Sequence, residues 1–356
     1  MLEETKIFRR ATLASIITSS YPMIVVGCYF GITPWNMNRL SIDESDLSFS
    51  ILIFGIFFVL SNQIAGRILV PKYGTKLVMS LAFPLITFST LLSIISSSYF
   101  YFLLTFIPAG IGWGASGPIG GIHCQLIEKH FKKIITPYYA MGFNIGILVG
   151  GGLAGIIMRY SFEPFMFFLV LSFSSILAAL LVLHLGLPSN LDFKGKGEKF
   201  KIPESNVLIF GFLLFFVFGS GGIIMDWSTL WLSKDLSAPL YLASMGLIFF
   251  SIGGILANLF SNSLIDLFTE KVVGCHFVMI GASIMLLSLL TNNFYIILGV
   301  LCIYGFAIAN LVPIVIRQAV KQSNESIPMT VTNLITIGLS STMIMPAAIG
   351  FLAETF

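Results

Sequence analysis

Apolar residues in this chain run continuously for 20 positions or more, and polar residues are confined to short segments between the runs. The apolar stretches lie near residues 11–33, 47–70, 76–97, 99–126, 134–158, 162–186, 207–232, 239–264, 272–291, 294–316 and 328–353. A hydrocarbon core about 30 Å thick is crossed by roughly 20 apolar residues of helix. Within each stretch the apolar residues go all the way round the helix instead of forming one stripe, so these are not surface helices of a soluble fold. The pattern predicts an all-α membrane protein with 11 transmembrane helices.

Charge fixes the orientation. With the N-terminus inside, the inner segments hold 16 of the 19 Lys and Arg residues, and the outer ones hold only Arg39, Arg159 and Lys234. Inner loops are expected to be the basic ones. The reading is a multi-pass protein of the plasma (inner) membrane with a cytoplasmic N-terminus. The basic residues are spent on topology, and no basic face interleaved with aromatics points to nucleic acid. Composition agrees: 56% of residues are hydrophobic, 10% are charged, and the mean hydropathy is +0.96. The four cysteines are scattered through apolar spans without ligand spacing, so neither a disulfide framework nor a metal site is expected. The first span is too long for the core of a signal peptide and is retained as the first helix.

The only long hydrophilic segment, residues 188–206, is rich in Lys, Gly, Pro and Ser and divides the chain. Residues 1–187 form an N-terminal half of six helices, 188–206 a cytoplasmic linker, and 207–356 a C-terminal half of five. The halves repeat. An offset of 195 residues superposes Leu52-Ile53-Phe54 on Leu247-Ile248-Phe249, Lys76 on Lys271, Gly110 on Gly305 and Pro118 on Pro313. Both halves start inside, which makes the repeat parallel, about an axis along the membrane normal.

The loop after the second span contains Gly66-Arg67, then Gly74 and Lys76, and resembles the Gly-Arg-…-Gly-x-Arg/Lys loop of the major facilitator superfamily. It lacks the acidic residue of that loop, and its glycines are one residue further apart. The equivalent loop in the second half, Asn262–Lys271, keeps an acid at Asp266 and the base Lys271 but has no glycine. Asp226-Trp227-Ser228, near the end of the seventh span, is similar to a signature of a fucose-permease-like branch. The resemblance covers the whole chain. It implies two rocking halves around a central solute site and normally twelve spans. The twelfth is missing here, and a truncated sequence is the favoured explanation. With eleven spans, the C-terminus beside Glu354 falls outside.

Function is sought where polar groups sit in apolar spans, because they are expensive there. Asp226 is the one acid clearly inside a span. It lies roughly 28 Å from the inner end of its helix, near the outer interface. It is a candidate outer gate or proton-linked carboxylate, against the alternative of a helix-end residue bonded locally. Trp227 and Trp231 read as interfacial belt residues. Nearer the midplane, Tyr29, Trp113, Ser116, Asn144, Ser220, Tyr304 and Asn310 could bind a neutral polyol or sugar through ring faces and amides, or could bond neighbouring helices. At the inner end, His123, Glu128 and Arg317 are candidates for gate ion pairs, and Asp266 for docking at a helix N-terminus. The glycines of spans four and five favour close helix packing.

No catalytic constellation and no phosphate-binding loop is present, so the chain is not read as an enzyme, and no cofactor is expected. The expected activity is secondary transport of a small polar solute, a sugar or a related compound, coupled to a proton or another ion, by a monomer in the lipid bilayer. Two alternatives stand beside it: efflux of hydrophobic compounds, and a transport-dead sensor or assembly protein on the same fold.

Overall fold

In a computed structural model, the structure describes residues 2–193, 195 and 202–355. Lys194, Lys196, Lys199 and Lys201, counted above among the inner charges, lie outside the described residues, as does the side chain of Glu354. The long helices are α1 (Leu2–Gly31), α2 (Glu44–Tyr73), α3 (Thr75–Ile95), α4 (Tyr99–Phe131), α5 (Thr136–Arg159), α6 (Pro164–Leu185), α7 (Ser205–Lys234), α8 (Leu240–Leu259), α9 (Ser261–Ser288), α10 (Phe294–Gln322) and α11 (Ile327–Thr355). Among the described residues, α1 to α10 have the length and composition to cross a membrane. α11, at 29 residues, matches them in length.

The helices absorb their own hydroxyls. The Ser15, Thr18 and Ser48 side chains donate to the carbonyls of Ala11, Ala14 and Glu44, one turn back. This local pairing lets hydroxyls sit in helices that have no water beside them. Two helix starts are capped by the side chain of their own N-cap residue. Asp43 accepts from the Asp46 N–H at α2, and Asn293 accepts from the Tyr295 and Ile296 N–H groups at α10.

Packing repeats between the halves. α1 lies along α5 as α7 lies along α11, and α2 lies along α4 as α8 lies along α10. The halves meet through α2 against α11 and through α5 against α8, which are equivalent pairs in the repeat. A Cβ on Gly110 of α4 would fall 2.4 Å from the Phe54 carbonyl oxygen, and one on Gly305 of α10 would fall 2.1 Å from that of Phe250. The tight contact is therefore built twice.

The loop between the eighth and ninth spans differs from expectation. The segment 262–271, read as loop, is helical on both sides of one residue, Thr269, at φ 71° and ψ 154°. Gly74, its partner at the 195-residue offset, has φ 82° and ψ 165°. The same sharp turn closes both repeats, once with glycine and once with threonine. A non-glycine residue in this region is strained by about 1–3 kcal/mol. Thr269→Gly is accordingly expected to stabilise the folded protein by about 1 kcal/mol after the entropy of the added glycine is charged against it. A thermal melt that fails to rise would show that the strain is relieved elsewhere.

Candidate functional site

The chain starts at the end of the bundle where most of the Lys and Arg residues lie, called here the basic end. Cross-half bonds occur at both ends. At the basic end, a single turn of π-helix at Ala65–Leu69 interrupts α2. Such turns re-aim side chains. Arg67, buried, donates through Nη2 to Asn333 Oδ1 of α11 at 2.8 Å and through Nε to Gln63 Oε1 at 2.5 Å. Gln63 and Asn62 donate to Thr336 Oγ1 at 2.5 and 2.7 Å, and Asn333 Nδ2 donates to Glu325 Oε2 at 3.0 Å. Gly66 makes the approach possible, because a Cβ there would meet Thr332 Oγ1 at 2.1 Å.

At the far end, Lys234 of α7 pairs with Glu44 of α2. The guanidinium of Arg159, at the end of α5, lies 5.0 Å from the ring centre of Tyr241 at the start of α8. The Lys234 side chain is 51% exposed, so this ion pair contributes between about 0 and 1 kcal/mol. Lys234→Met is thus expected to change far-end opening by no more than about fivefold. Distances between spin labels would check this, and a larger change would mean that the pair is shielded from solvent.

Asp226 is a carboxylate within the α7 span that faces residues of the first half. It sits eight residues before the end of α7, about 12 Å from that end. It lines a cavity of about 10 Å³ whose other walls, including Tyr29, Thr33, Asn36, Leu47 and Phe102, belong to the first half. That is about the smallest space that holds a water molecule. The residue is 7% exposed, and its carboxylate makes no hydrogen bond or ion pair among the described residues.

The remaining midplane candidates fall into two groups. Tyr29 accepts from Ser93 at 3.0 Å, Asn144 donates to Ala140 O at 3.1 Å, Ser220 donates to Val217 O at 2.9 Å, and Asn310 donates to Ala257 O at 3.0 Å. The Tyr29 and Asn310 bonds join helices within one half, whereas those of Asn144 and Ser220 stay within their own helix. Asn144 also lies on Gly254 of α8, where a Cβ would meet its Oδ1 at 2.5 Å, so it belongs to the seam between the halves. Ser116 is buried with a hydroxyl that has no partner among the described residues. Tyr304 is buried beside Ser220 and Phe250. Trp113 joins an apolar cluster drawn from both halves, with Met23 and Phe143 on one side and Met225 and Leu247 on the other.

The expected inner-gate trio is placed differently. His123 is fully buried within the first half, where Nδ1 faces Ser15 Oγ at 2.9 Å and Nε2 accepts from the Leu187 N–H at 3.1 Å. Glu128 receives the N–H groups of Ile135 and Thr136 at 2.7 and 2.8 Å and caps the start of α5. Arg317 pairs with Glu270 at 3.1 Å, inside the second half. Asp266 is exposed and docks at no helix end among the described residues, and Lys271 is also exposed. Lys76 covers Gly186 with its aliphatic stem.

The segment after α6 brings an acid, Asp192, against the first loop motif. Asp192 accepts from the Thr75 N–H and hydroxyl, each at 2.8 Å, and its Oδ2 would lie 2.6 Å from a Cβ on Gly74. Burial pushes this carboxyl above its ordinary range, while the Thr75 and backbone donors pull it back.

Sequence reading missed Asn62, Gln63, Asn333 and Thr336. Their signal was present, since each is a polar side chain inside an apolar span. What was absent was any local cue that α2 and α11, some 270 positions apart, face each other.

Comparison with known proteins agrees with this architecture. An uncharacterised MFS-type transporter of Yersinia pestis is 24% identical over 334 residues, 91% of this chain and 84% of its own. A bacterial homologue of the human lysosomal transporter Spinster, solved inward-facing and unoccupied, superposes with a TM-score of 0.71 at 14% identity, covering 98% of this chain and 83% of its own. A D-xylose–proton symporter gives 0.70 at 14% identity, over 97% and 89%. The family profile of the Major Facilitator Superfamily matches residues 14–347, nearly the whole chain, and the chain belongs to that superfamily of membrane transporters, not to an enzyme family.

Proposed function

We propose that this protein is a proton-coupled secondary transporter, which carries a small polar solute by rocking its halves about the α2/α11 and α5/α8 seams. The carrying observation is Asp226, a buried carboxylate of the second half that faces the first and has no partner among the described residues. An ionised carboxylate costs several kcal/mol in such a site. Closing the far end is therefore linked to whether Asp226 carries a proton, and opening it gives the group access to water. The cross-half contacts at the two ends then alternate, as in other transporters built from repeats. In this reading the basic end, with the N-terminus and linker, is cytoplasmic, the membrane is the plasma membrane, and the monomer is the working unit.

A sugar or a related polar solute is the favoured cargo, in keeping with the fold shared with a D-xylose–proton symporter. One observation favours a second reading. The cluster around Trp113, Phe143, Met225 and Leu247 presents apolar surface across the seam, which suits efflux of a hydrophobic compound. Proteoliposomes with an imposed proton gradient, offered radiolabelled sugars, polyols, nucleosides, carboxylates and lipophilic cations, test both. One polar class is expected to accumulate. Asp226→Asn is expected to exchange that class without accumulating it. Accumulation by the variant equal to that of the parent would remove Asp226 from the coupling. Movement of lipophilic cations alone would select efflux.

A further inference from the structure

At the far end of the first half, a groove of about 360 Å³ lies between the end of α3 and the start of α4. Ser96 and Ser97 line it at the helix ends, and Leu92, Leu104, Thr105 and Pro108 line it further along the two helices. Tyr99, Phe100 and Tyr101 open α4 as a band of aromatics, the composition expected at headgroup depth. Pro108 is seven residues further along the helix than Tyr101, which carries the groove about 10 Å towards the hydrocarbon. The groove therefore has a polar mouth and an apolar floor.

Arg39, on the short helix Thr33–Leu40, reaches the groove's edge through its bond to Ser96. Its Nη1 donates to Ser96 O at 2.5 Å, and its Nη2 donates to Ser93 O at 3.1 Å and Asn36 Oδ1 at 2.7 Å. The Trp35 ring centre lies 5.4 Å away. Every one of these partners is neutral. No carboxylate pairs with Arg39 among the described residues, and one Nη1–H is left without an acceptor. A guanidinium held in place by carbonyls and lacking a counter-charge, at the edge of a membrane, suits an anionic oxygen ligand.

We propose that this groove binds an anionic phospholipid, with the phosphate on Arg39 and one acyl chain laid between α3 and α4. The apolar floor is what selects a lipid over free phosphate, and the uncompensated charge is what selects an anionic headgroup over a zwitterionic one. The lipid would tie the connection between α1 and α2 to the far ends of α3 and α4.

Native mass spectrometry of the detergent-purified full chain tests this with phosphatidylglycerol, phosphatidylcholine of the same acyl chains, and inorganic phosphate. Phosphatidylglycerol is expected to bind about fivefold more tightly than phosphatidylcholine, the effect of one basic residue at an anionic surface. Arg39→Gln is expected to bring the two lipids to parity, and Arg39→Lys to keep the preference. Leu104→Trp, which fills the groove without touching the charge, is expected to weaken both lipids. A thermal melt of each variant identifies any that fails to fold, and Arg39→Lys and Leu104→Trp suffice if Arg39→Gln does. Equal binding of the two lipids by the parent, a preference that survives Arg39→Gln, or displacement of the lipid by inorganic phosphate would each overturn the proposal.

Discussion

Gly150→Val is expected to abolish the folded protein, while Gly152→Val, two residues along the same helix, leaves it intact. A Cβ at Gly150 lands 2.3 Å from the Ile24 carbonyl oxygen and 2.6 Å from the Cys28 nitrogen of α1. Both are backbone atoms in the middle of a helix and cannot turn aside. At Gly146 the same construction meets Ser20 O at 2.3 Å, so the two helices are in near backbone contact over a full turn. A Cβ at Gly152 meets nothing within 4 Å. Relief would require α1 to move off α5, losing the most extensive packing of the first half. Overpacking typically costs about 1–3 kcal/mol where side chains can give way, and more than about 3 kcal/mol is expected here. Both variants introduce the same β-branched residue into the same helix, so propensity cancels between them. Size-exclusion profiles and melting curves read the outcome. Equal behaviour of the two would show that α1 and α5 are not pressed together as described.

Arg67→Ala is expected to open the basic end. The lost bond to Asn333 joins a charged donor to an amide across the seam, in a residue only 6% exposed. Bonds of that kind contribute about 1.5–3 kcal/mol, which is a shift of roughly 10- to 150-fold in the equilibrium between closed and open forms. The bonds from Asn62 and Gln63 to Thr336 remain, and side-chain bonds between membrane helices average only about 0.6 kcal/mol each. They do not compensate. Spin labels at Lys129→Cys and Lys321→Cys, both exposed and one in each half, would report a longer distance in a background with Cys275 replaced. An unchanged distribution would mean that the seam is held by packing alone. The basic-end clamp exceeds the half-exposed far-end pair in strength, so the unliganded protein is expected to favour the form closed at the basic end.

The layers of information in this chain were not equally readable. Span positions and the parallel repeat are written in hydropathy and in one fixed offset, and both need only local composition. Asp226 stood out in the sequence as a lone acid in an apolar run, but that its surroundings come from the first half is seen only in the structure. His123 was not legible as an anchor of α1 and of the chain after α6, because its partners Ser15 and Leu187 lie 108 and 64 positions away. The second sharp turn escaped for a simpler reason. A search for glycine finds Gly74 and passes over Thr269, although the backbone does the same thing at both.

Those two turns differ in what surrounds them. At Gly74 the linker carboxylate presses against the space where a side chain would begin, so crowding as well as the backbone angle demands glycine. Thr269 is exposed, and no such carboxylate meets it among the described residues. The uncrowded position tolerates a strained residue at a cost of about 1 kcal/mol or more, while the crowded one has no room for a side chain. The backbone path is the same at both positions, and glycine stands at the one where a neighbour fills the space a side chain would need.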